Sequence, residues 1–175
     1  MTDRLRTVRH RFATALLPPL PPEALGDVRL LPHQRQAAAR LLALLERHRG
    51  ALLADAVGLG KTYTALAVAR QYAHTTIIAP ATLVTMWQAA LLRSQQAAIT
   101  VHSLHQASVK PLPAFADLAT ASSAHHRRVL VIIDEAHALR NEHTTRYRHV
   151  AQAVTGCDVL LLSATPLHNR TRDLE

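Results

Sequence analysis

The chain has 175 residues, with 49% apolar and only 3% aromatic side chains, enough for one sizeable core and a balance that excludes a largely disordered chain. Its formal charge is +8 and its pI about 11.0, which favours a polyanionic partner such as nucleic acid, although the basic residues are almost all Arg beside abundant Ala and Leu, as GC-rich coding gives. The single cysteine, Cys157, excludes an internal disulfide and suits a reducing compartment, and no apolar run approaches the ~20 residues needed to span a bilayer.

Residues 1–17 carry Leu5, Val8, Phe12 and Leu16 at helical spacing among Arg4, Arg6, Arg9 and Arg11, the pattern of a short cationic helix. Pro18-Pro19-Leu20-Pro21-Pro22 breaks it and reads as an extended spacer, so residues 1–27 are expected to form a basic arm and linker ahead of a domain over 28–175. Leu31-Pro32-His33-Gln34 leads into a helix, with Pro32 at a first-turn position, Ala37, Leu41, Leu44 and Leu45 on its apolar face, and Gly50 as its stop. The Gln34 amide, a donor beside an acceptor, matches the N6 and N7 edge of adenine.

Ala51-Leu52-Leu53-Ala54 is an apolar run long enough for one buried strand. Gly58 and Gly60 then let the backbone turn its N–H groups inward, Leu59 lies between them, and a helix-forming run starts at Lys61. Strand, glycine loop, lysine, hydroxyl and helix make a phosphate-binding loop. Loop amides and the helix N-terminus converge on one anion site. Lys61 adds a full charge directed at the β- and γ-phosphates of ATP, and the Thr62 hydroxyl is placed to hold Mg²⁺. Asp55 stands where the strict pattern has glycine.

The pattern then repeats: a strand at Thr76–Ala79 ended by Pro80, a helix through Leu83, Trp87 and Leu91, and a weaker strand at Ile99–Val101 ended near Ser103. A polar connection over 107–127 carries Pro111 and Pro113, and a helix is expected over 143–154. Val129–Ile133 is a strong strand ended by Asp134-Glu135, and Val159–Leu162 is the last, ended by Ser163-Ala164-Thr165-Pro166. Alternating strands and helices imply an α/β fold, a parallel sheet with helices on both faces. The distinctive polar residues all fall at the carboxyl ends of strands, where open α/β sheets bind ligands. Asp134 can then reach the magnesium shared with Thr62, and Glu135 can orient and deprotonate the water that attacks the γ-phosphate.

Taken together, these segments resemble the first RecA-like lobe of a superfamily 2 helicase-type ATPase of the SWI/SNF group of DNA translocases, over about residues 28–175. The group's loop reads Asp-x-x-Gly-Leu-Gly-Lys-Thr, which residues 55–62 fit and which accounts for Asp55; Ala56 replaces its usual Glu. Leu31–Gln34 resembles its adenine-reading motif, and Pro80–Trp87 its Pro-x-Ser-Leu…Trp segment with Thr82 for serine. Asp134-Glu135-Ala136-His137 resembles its DEAH motif II, and Leu162–Asn169 its motif III. The resemblance implies that Thr82 and Ser103 lie near the nucleic-acid backbone, and that His137 and Ser163, Ala164 and Thr165 couple the γ-phosphate state to a neighbouring lobe. It implies duplex DNA as partner, a second RecA-like lobe in cis or trans to supply arginines, a further complex such as RNA polymerase, and a place in the bacterial cytoplasm or nucleoid. No second lobe follows within these residues, so a fragment, a truncated product or one piece of a split protein is expected. A non-catalytic nucleotide- or DNA-binding module and an RNA helicase lobe are the competing readings.

The 12 histidines include His102-x-x-His105 and His125-His126, but no zinc-type pattern accompanies them. Cys157 reads as a core thiol and Trp87 as packing rather than base stacking.

Overall fold

The computed structural model describes residues 20–55, 58–121 and 128–164, the side chains of 119–121 excepted. The expected N-terminal helix, Ala56, and Thr165 with the rest of the last motif lie outside the described residues. The elements in order are β1 (Ala24–Leu25), β2 (Val28–Arg29), α1 (Pro32–His48), β3 (Gly50–Leu53), α2 (Lys61–Ala69), β4 (His74–Ala79), α3 (Val84–Arg93), β5 (Thr100–Ser103), α4 (Leu104–Val109), β6 (Val129–Ile133), α5 (Thr145–Val154) and β7 (Asp158–Leu162). Short 3-10 turns cover Ala81–Leu83, Phe115–Ala121 and Ala136–Leu139.

Five strands make one sheet in the order β3-β7-β6-β4-β5, and every neighbouring pair is parallel. Because successive side chains in a strand point to opposite faces, each central strand feeds two cores. Leu53, Ile77, Leu130, Ile132, Leu160 and Leu162 pack under α1, α2 and α3. Ile78, Val129, Val131 and Ile133 face the other way, onto Leu104, Ala107, Phe115, Val150 and Ala153. All five residues of β6 are buried, which is why that strand reads as an unbroken apolar run. Truncating one of its side chains, such as Leu130 or Ile132, to Ala costs about 2–5 kcal/mol. Helices thus cover both faces, as the alternation requires.

Several local expectations shift. The buried stripe of α1 is Gln34, Ala38, Leu41 and Leu45, while Leu44 is exposed. The helix ends not at Gly50 but at Arg49, which takes the left-handed conformation itself with φ 58°; Gly50 is the first residue of β3. The connection after β5 is more ordered than its polar composition suggests, since it contains α4 and the turn Phe115–Ala121. Packing also starts ahead of residue 28. Pro21 is buried and its carbonyl accepts from Arg35 Nε at 2.9 Å. Leu25 is fully buried, and a Cβ on Gly26 would lie 2.5 Å from the Arg93 carbonyl, so only glycine fits between this hairpin and α3.

Candidate nucleotide-binding site

The register fixes the site. Leu53 pairs with Leu162 and Ile133 with Leu161, so Asp134 stands beside Leu162. The Asp134 N–H donates to the Ile78 carbonyl at 2.8 Å, continuing the β6–β4 pairing so that Asp134 stands beside Ala79, which pairs with Ser103. Leu53, Leu162, Asp134, Ala79 and Ser103 therefore form one row across the carboxyl edge of the sheet. The phosphate loop leaves that row at Leu53, two strand spacings from Asp134, about 10 Å at ~4.8 Å per strand.

Within the loop, Gly58 and Gly60 have φ 87° and 75°, a region that costs a side chain roughly 1–2 kcal/mol. Gly60 is the N-cap of α2, so the first amides of that helix open toward the loop. Lys61 and Thr62 are half-buried and Leu59 is exposed. The Lys61 ammonium donates to the Asp55 carbonyl at 2.8 Å, folding back along the loop that it would bridge to a phosphate. The Thr62 hydroxyl lies 4.0 Å from the Met86 sulfur.

Gln34, 7% exposed, backs this loop. Its Oε1 accepts from the Leu31 N–H at 2.9 Å, while its Nε2 reaches the Leu59 and Gly60 carbonyls at 3.4 and 3.5 Å. The first bond caps α1. The other two are long enough to contribute little.

Asp134 is buried. Its Oδ1 accepts from the Glu135 N–H at 2.9 Å and its Oδ2 from the Trp87 indole N–H at 2.9 Å. Glu135 sits at φ 51°, an uncommon conformation for a residue with a side chain and one that concentrates at functional sites. Its Oε2 lies 3.1 Å from His137 Nδ1. Ser163 is buried and its N–H donates to the Leu53 carbonyl at 3.1 Å, which places Ser163 and Ala164 between the phosphate loop and Asp134.

Thr82 is exposed in the turn that follows Ala79, on the same edge. The Ser103 hydroxyl accepts from the His105 N–H at 3.1 Å, so it caps α4. Among the described residues, Gln34, Gly58, Leu59, Gly60, Lys61 and Thr62 thus lie at the loop that follows β3, Ser163 and Ala164 follow β7, Asp134, Glu135 and His137 follow β6, and Thr82 and Ser103 stand farther along the same edge.

Trp87 packs as expected, but the residue also holds Asp134, a contact that sequence reading missed. The available signal was that a buried indole N–H needs an acceptor. Cys157 is a buried free thiol, and burial pushes it above the usual thiol range.

A family model described as an AAA domain matches residues 46–170. Over 162 residues the chain is 33% identical to the uncharacterized ATP-dependent helicase YqhH of Bacillus subtilis, an alignment covering 82% of this chain and 28% of that protein. It is 27% identical over 164 residues to the DNA repair protein RAD5 of Yarrowia lipolytica, covering 71% of this chain and 16% of that one. The chain therefore spans less than a third of the curated relatives it matches. The solved SWI2/SNF2 ATPase core of Sulfolobus solfataricus, in complex with double-stranded DNA, superposes with a TM-score of 0.65 at 20% identity, covering 89% of this chain and 36% of that one. The chain therefore belongs to the family described as the AAA domain, and it shares the fold of that SWI2/SNF2 ATPase core.

Proposed function

We propose that this chain is the Mg-ATP-binding lobe of a DNA-dependent ATPase whose hydrolysis is coupled to movement on duplex DNA. The observation that carries the reading is the single row that sets the phosphate loop and Asp134 on the same edge, with only β7 between them. The loop amides, the N-terminus of α2 and Lys61 bind the phosphates, with the ammonium exchanging the Asp55 carbonyl for a phosphate oxygen. The long Gln34 bonds to the loop yield to an adenine edge.

A hydroxyl and a buried carboxylate are the hard oxygen donors that Mg²⁺ takes, and Thr62 and Asp134 supply them against consecutive residues of α3. Held there, the ion would supply positive charge against the phosphates. Glu135, steadied by His137, accepts the proton of the attacking water. His137 with Ser163, Ala164 and Thr165 relays the state of the γ-phosphate to a second lobe. That lobe supplies arginines worth about 10³–10⁵ in rate in comparable phosphoryl-transfer enzymes, so residues 1–175 alone are expected to bind nucleotide with weak turnover.

Duplex DNA is the proposed track, supported by the formal charge of +8 and by the exposed Thr82 on the site edge. Ser103 would meet the backbone through its main chain, because its hydroxyl is engaged as a cap. An RNA polymerase or another protein complex is the proposed setting, in the bacterial cytoplasm. Among the described residues no helix is long and apolar enough to cross a membrane.

Titration of a fluorescent ATP analogue with Mg²⁺ tests the site. Lys61→Ala is expected to abolish binding, and Glu135→Gln to keep binding while stopping turnover. Unchanged affinity in Lys61→Ala overturns the assignment. Robust DNA-stimulated hydrolysis by residues 1–175 alone would exclude a non-catalytic module.

A further inference from the structure

Trp87 is the single tryptophan of the chain and is fully buried. Its indole N–H ends 2.9 Å from Asp134 Oδ2, a contact between two buried side chains on α3 and at the tip of β6. The preceding residue, Met86, lies against the Thr62 hydroxyl at 4.0 Å. Two consecutive residues of one helix therefore touch the two side chains assigned above to the metal.

We propose that Trp87 is a positioning residue that orients the Asp134 carboxylate for a divalent cation. The inference rests on the reading that Thr62 and Asp134 hold Mg²⁺. A carboxylate at a strand tip turns about two side-chain bonds. Here each oxygen takes one N–H donor, the Glu135 amide on Oδ1 and the indole on Oδ2. The main-chain donor is adjacent in sequence and moves with Asp134, so it fixes little. The indole is anchored elsewhere, in the core formed with Leu66, Leu91 and Leu130, so its direction is set by packing. One donor per oxygen leaves lone pairs on the carboxylate for a cation. Outer partners that orient a metal ligand typically change metal affinity about 10–100-fold when removed.

The test uses the full chain with Mn²⁺ as probe in the presence of ADP, free Mn²⁺ being counted by electron paramagnetic resonance. Trp87→Phe keeps a buried ring and removes the donor. It is expected to weaken Mn²⁺ binding about 10–100-fold while metal-free ADP affinity stays within twofold. In an Asp134→Asn background the same substitution is expected to add no further loss, because the group it orients is gone. In the parent chain, paramagnetic Mn²⁺ is expected to quench Trp87 fluorescence along the binding curve, a readout that needs no variant to fold. Equal Mn²⁺ affinity in Trp87→Phe and the parent, or Mn²⁺ binding without quenching, overturns the proposal and leaves the metal assignment standing. Mn²⁺ binding unaffected by Asp134→Asn overturns the assignment itself, and the proposal with it.

Discussion

The Nε of Arg49 lies 3.0 Å from Oδ1 of Asp158, at the amino edge of the sheet, opposite the phosphate loop. The Asp158 side chain has no exposed surface. Its Oδ2 accepts from the Tyr72 hydroxyl at 2.9 Å and meets Arg128 Nη2 at 2.6 Å, and Arg128 also pairs with Glu46. One buried carboxylate thus ties the end of α1, the start of β7 and the segment entering β6. Burial, helped by the Asp158 carboxylate, pushes the Tyr72 hydroxyl far above its ordinary range, so it remains a donor.

Removing the anchor takes the acceptor away from Arg49, Tyr72 and Arg128, none of which is itself buried. Asp158→Ala is expected to cost about 1–3 kcal/mol, the range for leaving hydrogen-bonding groups without their partner, read from the urea midpoint. Arg49→Gly should cost less, because glycine relieves the left-handed φ of 58°. A loss below about 1 kcal/mol for Asp158→Ala would refute the anchoring role.

The two loop glycines separate strain from crowding. Both have positive φ, but a Cβ on Gly58 would meet nothing within 4 Å, whereas on Gly60 it would lie 2.2 Å from Gln34 Nε2. Gly58→Ala is expected to lose only the roughly 1–2 kcal/mol of backbone strain. Gly60→Ala must also displace Gln34, so its nucleotide affinity should fall more than tenfold beyond that of Gly58→Ala. Equal affinities for the two variants in a fluorescent-nucleotide titration would contradict this.

Thr75 offers a stabilising change. Its hydroxyl oxygen is buried on β4 and has no hydrogen-bond partner among the described residues. Thr75→Val keeps the shape and removes the unpaired group, so stability is expected to rise by about 1 kcal/mol. A lowered urea midpoint would mean that the hydroxyl is satisfied.

His102 gives a pH dependence. Burial lowers its pKa from 6.5, with its ring centroid 5.3 Å from that of Phe115. Below pH 6.5 the unfolded chain takes up the proton first, so this stability is present above 6.5 and is lost as pH falls through the folded value. Melting curves of the parent and His102→Gln should converge between pH 7.5 and 5. A constant gap would show that the histidine does not titrate differently in the two states.

The sequence by itself determined what adjacent residues decide. An apolar run, two glycines and Lys61-Thr62 form a strand, loop and helix because their constraints lie within a few residues of each other. Val129–Ile133 ending in Asp134-Glu135 was legible for the same reason. Where a helix stops is less local: Arg49 holds the left-handed position that Gly50 was expected to relieve, stabilised by Asp158 far along the chain.

Only the tertiary structure decided that β7 lies between β3 and β6, that Trp87 turns its N–H onto Asp134, and that Gln34 backs Gly60. Strand order is a choice among long-range pairings whose edges look alike in sequence, settled by which register buries both faces of β6 at once. Polar contacts between distant segments then follow from that register, because a buried donor takes whichever acceptor the packing leaves within reach.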